Sequence, residues 1–348
     1  MKRRALTELM LARTREFYRE PEAVFWVYVF PILLMAGLGI AFRGGGKEEI
    51  VVDVIEGSGA ASAKEALESP DGARKRFKVD VVSAAEARSR HAIGKTDVIV
   101  DASGGALRYT YDPSRSGSEA AKISVDGALQ AAAGRKDLVS TSENLITEPG
   151  SRYIDWLIPG ILGMNIMGGG MWGLGFVTVD MRMRKLLKRF IATPMARSDF
   201  LLALMGSRLL FLVPEVIVIL AVGHFIFGLE IRGSFTSLAA VTFLGAISFS
   251  GLGLLIACRA DKIETVSGLM NFVMLPMWML SGIFFSSNRF PDAMQPFVQA
   301  LPLTQLNNAL RAVILEGSSA ADQWVPALVL AAYAVVSFSA ALRWFKWQ

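Results

Sequence analysis

The sequence predicts a polytopic α-helical membrane protein of six transmembrane helices, with a small extracytoplasmic α/β domain inserted between spans one and two. Three observations predict it. The 348 residues are 53% hydrophobic with a mean hydropathy of +0.42, too apolar for an ordinary soluble chain. Six apolar runs are each long enough to cross a hydrocarbon core of about 30 Å. Polar residues gather in one block: residues 44–152 hold 15 Lys/Arg and 17 Asp/Glu, whereas the rest of the chain holds 21 and 14. The basic excess (pI near 9.3) therefore belongs to the membrane part, where it serves topology and anionic headgroups, and no nucleic-acid partner is expected.

Residues 1–22 set Leu6, Leu9, Met10, Phe17 and Tyr18 among Lys2, Arg3, Arg4, Arg13, Arg15 and Arg19, the pattern of a cytoplasmic amphipathic helix lying in the interface, which Pro21 ends. Span one follows at 23–42. A cleaved signal peptide is the competing reading, since Gly39 and Ala41 are small residues at plausible spacing. A long leading segment with four glutamates and an apolar run of about twenty residues weigh against it. Within residues 43–152 the pattern reads strand at 50–55, helix near 60–67, strand at 77–82, helix at 84–93, strands at 97–101 and 107–111, and a longer helix at 116–133. Alternating helices and strands make a small α/β layer.

Residues 153–348 carry five further spans, near 153–179, 200–227, 236–258, 265–287 and 323–343. The loop 180–199 holds six Lys/Arg, 259–264 holds Arg259 and Lys262, and the C-terminus holds Arg343 and Lys346. The turn 228–235 holds only Arg232, and 288–322 only Arg289 and Arg311. Positive-inside therefore puts both termini in the cytoplasm and residues 43–152 outside, for a multi-pass protein of the plasma (inner) membrane. The segment 288–317 is neither a clean span nor a polar loop. Pro291, Pro296 and Pro302 interrupt it before the helical pattern Leu303, Leu306, Leu310 resumes, which suits a re-entrant or interfacial piece carrying Pro291, Pro302, Leu303 and Thr304.

No catalytic residue, metal ligand or cofactor site is expected in this chain. Cys258 is the single cysteine and His91 and His224 the only histidines, too few for a disulfide or a metal cage. Gly94-Lys95-Thr96 followed by a strand superficially matches a phosphate loop, but Ser89 stands where the first glycine belongs, and the helix precedes the motif instead of following it. Gly57-Ser58-Gly59 after a strand half-matches a dinucleotide fingerprint and reads as a glycine-rich turn.

Residues for transport are better marked. Met183, Leu186, Leu187, Phe190 and Ile191 fall at helical spacing among Arg182, Arg184, Lys185, Lys188 and Arg189, and Thr193-Pro194 ends the run. Such a helix lies on lipid or is gripped by a cytoplasmic partner. Glu215, directly after Pro214, is an intramembrane acid, which by default marks a pathway or a buried pair. Arg208, two turns earlier on roughly the same face, is the partner in the paired reading, and the pathway reading stands equally beside it. Asn165 and Asn271 are placed to hydrogen-bond between helices, and Gly168–Gly170, Gly173 and Gly175 to allow close packing.

The sequence P-x-x-x-L-S-G-I-F-F at 276–285, then Pro302-Leu303-Thr304 and Arg311, resembles the membrane (permease) subunit of type-2 ABC exporters. The amphipathic start ending Arg19-Glu20-Pro21, Pro31 in span one, and the basic loop running through Thr193-Pro194 into Phe200-Leu201-Leu202 are similar to the same family. The inserted domain resembles the subgroup with a large external domain between spans one and two. One departure stands at Met181–Lys185, where the family commonly shows an acidic residue and Gly-Thr. The resemblance implies a permease that forms a homodimer, or pairs with a similar permease, and couples to separate cytoplasmic ABC ATPase subunits that hold ATP and Mg. It implies export of an amphipathic or hydrophobic substrate, a drug-like molecule or lipid, with Met183, Leu186, Leu187, Phe190, Thr193 and Pro194 in the ATPase-coupling segment. Two rivals remain: a membrane-anchored extracytoplasmic sensor or binding protein without transport, and an ion-coupled secondary transporter using Glu215, which predicts internal repeats.

Overall fold

A computed structural model describes residues 11, 14–15, 17–41, 49–68, 77–104, 106–115, 117–135, 152–191 and 197–346, with side chains described outside 190–191 and 197–202. The chain divides into two compact units, Gly44–Ile146 and the remainder.

In the smaller unit, β1 (Ile50–Ile55), β2 (Phe77–Val82), β3 (Val98–Asp101) and β4 (Arg108–Thr110) form one sheet in the order β2-β1-β3-β4. β1 pairs parallel with β2 and β3, and β3 pairs antiparallel with β4. Parallel neighbours need helical crossovers, which α2 (Ala60–Glu68) and α3 (Ala84–Ala92) supply, and α4 (Ser118–Ala132) follows the last strand. Val52 and Val54 of β1 join α2 and α4 in one core around Val125 and Leu129; Ile55, Val82 and Ile99 pack on α3 at Ala87. Successive strand residues point to opposite faces, so Asp53 lies on the α3 side. There it is fully buried, accepting a 2.5 Å hydrogen bond from the Thr96 hydroxyl, with Arg90 Nε at 3.3 Å. Arg90 also binds Asp80, the register partner of Asp53 on β2. The Gly94-Lys95-Thr96 turn is thus a helix-to-strand connection: Gly94 has φ +77°, and Lys95 N–H closes on the Arg90 carbonyl.

Among the described residues, the larger unit holds six helices long and apolar enough to cross a membrane. They are α1 (Pro21–Ala41), α5 (Tyr153–Met183), α7 (Arg197–Phe227), α8 (Phe235–Ala257), α9 (Ile263–Leu280) and α12 (Trp324–Trp344); α6 (Leu186–Ile191) follows α5. Much of the expected helix at 1–22 lies outside the described residues. Residues 17–19 are helical, Glu20 is extended, and Pro21 opens α1, where its missing N–H costs nothing. α5 is the central helix. Its first turn is fixed by Arg152, whose Nε and Nη2 grip Asp155 at 2.9 and 2.8 Å, and its buried residues run from Ile154 to Arg182. The fifth span is shorter than the sequence pattern suggested. α9 stops at Leu280 instead of 287, because Gly282 turns the chain with φ +72°. Two short 3₁₀ turns, α10 (Gln295–Ala300) and α11 (Pro302–Glu316) then fill the space before α12.

Candidate functional site

Three places in the helical unit gather the polar side chains an apolar bundle would otherwise exclude. The first joins α1, α5 and α7. Residues 25–29 of α1 are π-helical, which leaves backbone groups without ordinary partners; Asn165 Nδ2 of α5 donates to the Val27 carbonyl at 2.9 Å. One turn along α5, Gly169 has no side chain, and the Arg208 guanidinium of α7 occupies that gap: a Cβ there would stand 1.9 Å from Nη2. Arg208 Nη1 donates to Glu215 Oε2 at 2.7 Å. Glu215 is wholly buried and Arg208 nearly so. Glu215 Oε1, Arg208 Nε and Arg208 Nη2 are buried without a hydrogen-bond partner. The guanidinium that pairs with Glu215 thus packs against α5 one turn from Asn165. Asn271 does not join them: it lies exposed on α9, on the outward side with Phe272, Leu275 and Met279.

The second place is the end of α9. Where the helix breaks, the Ser281 carbonyl accepts from Asn307 Nδ2 at 3.0 Å and the Gly282 carbonyl from Arg311 Nη2. Both donors come from α11, one turn apart on its buried face. Arg311 also donates to the Trp156 carbonyl from Nε at 3.3 Å and lies 3.6 Å over the centre of the Trp156 ring. Non-helical backbone at membrane depth is tolerable only when its freed groups are satisfied inside the protein, and these two side chains do that. Gly163 makes the approach possible, because a Cβ there would stand 2.0 Å from Asn307 Oδ1. Pro302, Leu303 and Thr304 form the buried first turn of α11, while Pro291 is exposed. Sequence reasoning missed Asn307 and noted Arg311 only as part of a motif and as a charge in the 288–322 segment. The available signal was an amide and a guanidinium four residues apart within an otherwise apolar stripe.

The third place is the turn into α6. Arg184 pairs with Asp180 at 2.9 Å, and Lys185 takes φ +58°, the left-handed conformation that reverses the chain. The structure divides the expected apolar stripe. Leu187, 1% exposed, is held in a core with Leu174, Leu204, Leu254 and Phe345, whereas Met183 is 50% exposed and Leu186 half-buried. Lys188 and Arg189 point outward. Thr193, Pro194 and the Phe190 side chain lie outside the described residues. Leu187 was read in the sequence as available to a partner; its apolar side chain is committed to the chain's own interior instead.

Among the described residues no three His, Cys, Asp or Glu side chains converge as a metal site. An open apolar groove of about 670 Å³ runs between α7 and α8, lined by Leu212, Val216 and Leu220 together with the exposed Val213, Ile217 and Phe225 among others.

Comparison with known proteins agrees with this architecture. Residues 125–315 match the family described as ABC-2 type transporter. The chain is similar to the probable multidrug ABC transporter permease YbhS of Escherichia coli strain K12 and to that of Escherichia coli O157:H7, 25% identical to each over 194 residues. The matched region is 55% of this chain and 50% of those proteins, so the chain spans about half the length of the curated relatives it matches. With more than half of its length in the family match, and with the membrane helices α5, α7, α8 and α9 in that region, the chain belongs to the ABC-2 type transporter family.

Proposed function

We propose that this chain is the permease subunit of an ATP-driven exporter, coupled to separate cytoplasmic ATPase subunits that hold ATP and Mg²⁺. The observation that carries the reading is the family match across α5 to α11. The orientation rests on charge. Basic residues of the α5–α6 turn, of 259–262 and of the C-terminus meet at one end of the helical unit, where Lys346 Nζ binds Asp261 at 2.8 Å. That end is the cytoplasmic one, and residues 44–146 are extracytoplasmic. The permease is a homodimer, or pairs with a similar permease. Asn271 on the exposed side of α9 supports this, since an amide facing hydrocarbon is costly and one facing a second subunit is not.

The substrate is amphipathic or hydrophobic. The Escherichia coli relatives, described as probable multidrug permeases, support that chemistry, and the open apolar groove between α7 and α8 is compatible with it. The exposed face of the α5–α6 segment, Met183 with Arg184, Lys185, Lys188 and Arg189, is the surface offered to the ATPase. Co-expression with a candidate ATPase in lipid nanodiscs tests the reading. A complex that Lys188→Glu with Arg189→Glu dissociates is the expected result. A folded permease that binds no ATPase in the wild type refutes it.

A further inference from the structure

Arg182 is the last buried residue of α5, and its surroundings are unusual for a cation. It donates to four backbone carbonyls from two distant parts of the chain. Nη1 reaches the carbonyls of Ala257, at 2.9 Å, and of Ala260; Nη2 reaches Cys258 at 2.9 Å; and Nε reaches Lys346 at 3.1 Å. The guanidinium also lies 5.4 Å from the centre of the Phe345 ring. Ala257 and Cys258 close α8, so Arg182 occupies the negative end of that helix, where free carbonyls and the helix dipole both favour a cation. Lys346 N–H in turn donates to the Cys258 carbonyl at 2.9 Å. One side chain thus fastens the end of α5 to the end of α8, to the start of the α8–α9 loop, and to the residues just after α12.

Two residues on, the Arg184-Lys185 turn leads into α6, whose Leu187 shares a core with Leu254, Cys258 and Phe345. Apolar contacts resist separation but not sliding, because they have no direction. Charge-assisted hydrogen bonds from a rigid planar fork resist both. We infer that Arg182 is a positioning residue of the transport cycle, the directional tie through which displacement of the α5–α6 turn is transmitted to α8, α9 and α12 together. This inference rests on the reading of 180–199 as the ATPase-facing segment. A role confined to capping α8 would stabilise the helix without linking hydrolysis to transport, and the two roles part experimentally.

The test uses the full chain in nanodiscs with Arg182→Ala and Arg182→Lys. In the permease alone, hydrogen exchange at 257–261 and 345–346 should rise about tenfold or more in R182A, as local opening loses several charge-assisted bonds. Unchanged exchange overturns the inference, whatever the partner does. With the ATPase bound, R182A should keep assembly and hydrolysis within about twofold while ATP-dependent transport falls about tenfold, inside the range of ordinary coupling energies. R182K, which keeps the charge but loses the fork, should fall between, and it serves both arms if R182A does not insert. Transport and hydrolysis falling in parallel, or neither falling, reduces Arg182 to a helix cap and overturns the inference. If the wild type binds no ATPase, the exporter reading fails and the transmission role falls with it, while the exchange result still reports on the tie.

Discussion

Arg208 and Glu215 carry opposite charges into an apolar interior, and each is tolerable there chiefly because of the other. Removing one partner strands the other, a loss of about 3–5 kcal/mol for a buried pair, whereas replacing both with apolar side chains removes the desolvation cost as well. Glu215→Gln alone should therefore lower the thermal midpoint of the purified permease more than Arg208→Met combined with Glu215→Leu. Singles that add up to the double would mean the two groups do not interact. The same guanidinium explains Gly169. Gly169→Ala sets a methyl against Nη2 and should cost about 1–3 kcal/mol, while Gly173→Ala, with no atom within 4 Å of the added carbon, should be neutral or up to about 1 kcal/mol stabilising. Equal midpoints for the two variants would contradict the packing described. Glu215 was legible in the sequence as a lone acid in an apolar run, with Arg208 as its mate in the paired reading. The glycine each helix contact requires was not, because a glycine-rich stretch does not say which of its members faces a neighbour.

Elements differ in how openly the sequence announces them. The central strands β1 and β3 of the α/β domain were legible from short Val/Ile runs between turn residues, since both are buried on both faces and bounded by polar breaks, whereas the outer strands β2 and β4 carry exposed residues. The exception is Asp53, a carboxyl inside that pattern. Burial pushes its pKa above the ordinary range, opposed by the Thr96 hydroxyl and by Arg90, while the hydrogen bond from Arg90 holds Asp80 below it. The two have opposite consequences. The stability associated with neutral Asp53 is complete below about pH 4 and is lost as pH rises through its folded pKa; that of ionised Asp80 is present above about pH 4 and is lost as pH falls through its folded pKa. Asp53→Asn should raise the thermal midpoint of this domain in the intact chain at pH 7, with the gain shrinking toward pH 4. Asp80→Asn should lower it at pH 7, and that deficit should also shrink in acid. A D53N gain that grows on acidification would contradict the burial argument. At the end of α9 the outcome is set by packing, which sequence shows poorly. Pro291, Pro296 and Pro302 marked interruptions in the sequence, yet the first break comes earlier, at Gly282, and Asn307 and Arg311 satisfy the carbonyls it frees. Asn307→Leu leaves the Ser281 carbonyl unpaired and should lower the thermal midpoint by the equivalent of about 1–3 kcal/mol; an unchanged midpoint would show that another donor takes its place.

At the scale of the whole molecule, six apolar runs and an asymmetric distribution of Lys and Arg were enough to read a six-helix membrane protein with an inserted domain, because the bilayer constrains span length and backbone satisfaction so strongly. The α5–α6 segment was legible as an amphipathic basic helix, but periodicity alone did not reveal which neighbour would bury its stripe: Leu187 turned inward and the charges outward. Leu187→Asp should therefore damage the permease itself, seen as aggregation or a lowered midpoint without any ATPase. Met183→Asp should leave the midpoint unchanged and weaken only partner binding. The central claim is that ATP hydrolysis in a separate subunit drives this chain to move an amphipathic molecule. The most direct measurement reconstitutes the permease with its ATPase in proteoliposomes and follows an amphipathic fluorescent probe, with a hydrolysis-dead ATPase as control. ATP-dependent probe movement that the dead subunit abolishes is the result predicted. Movement driven by a proton gradient in the permease alone, indifferent to ATP, would contradict it.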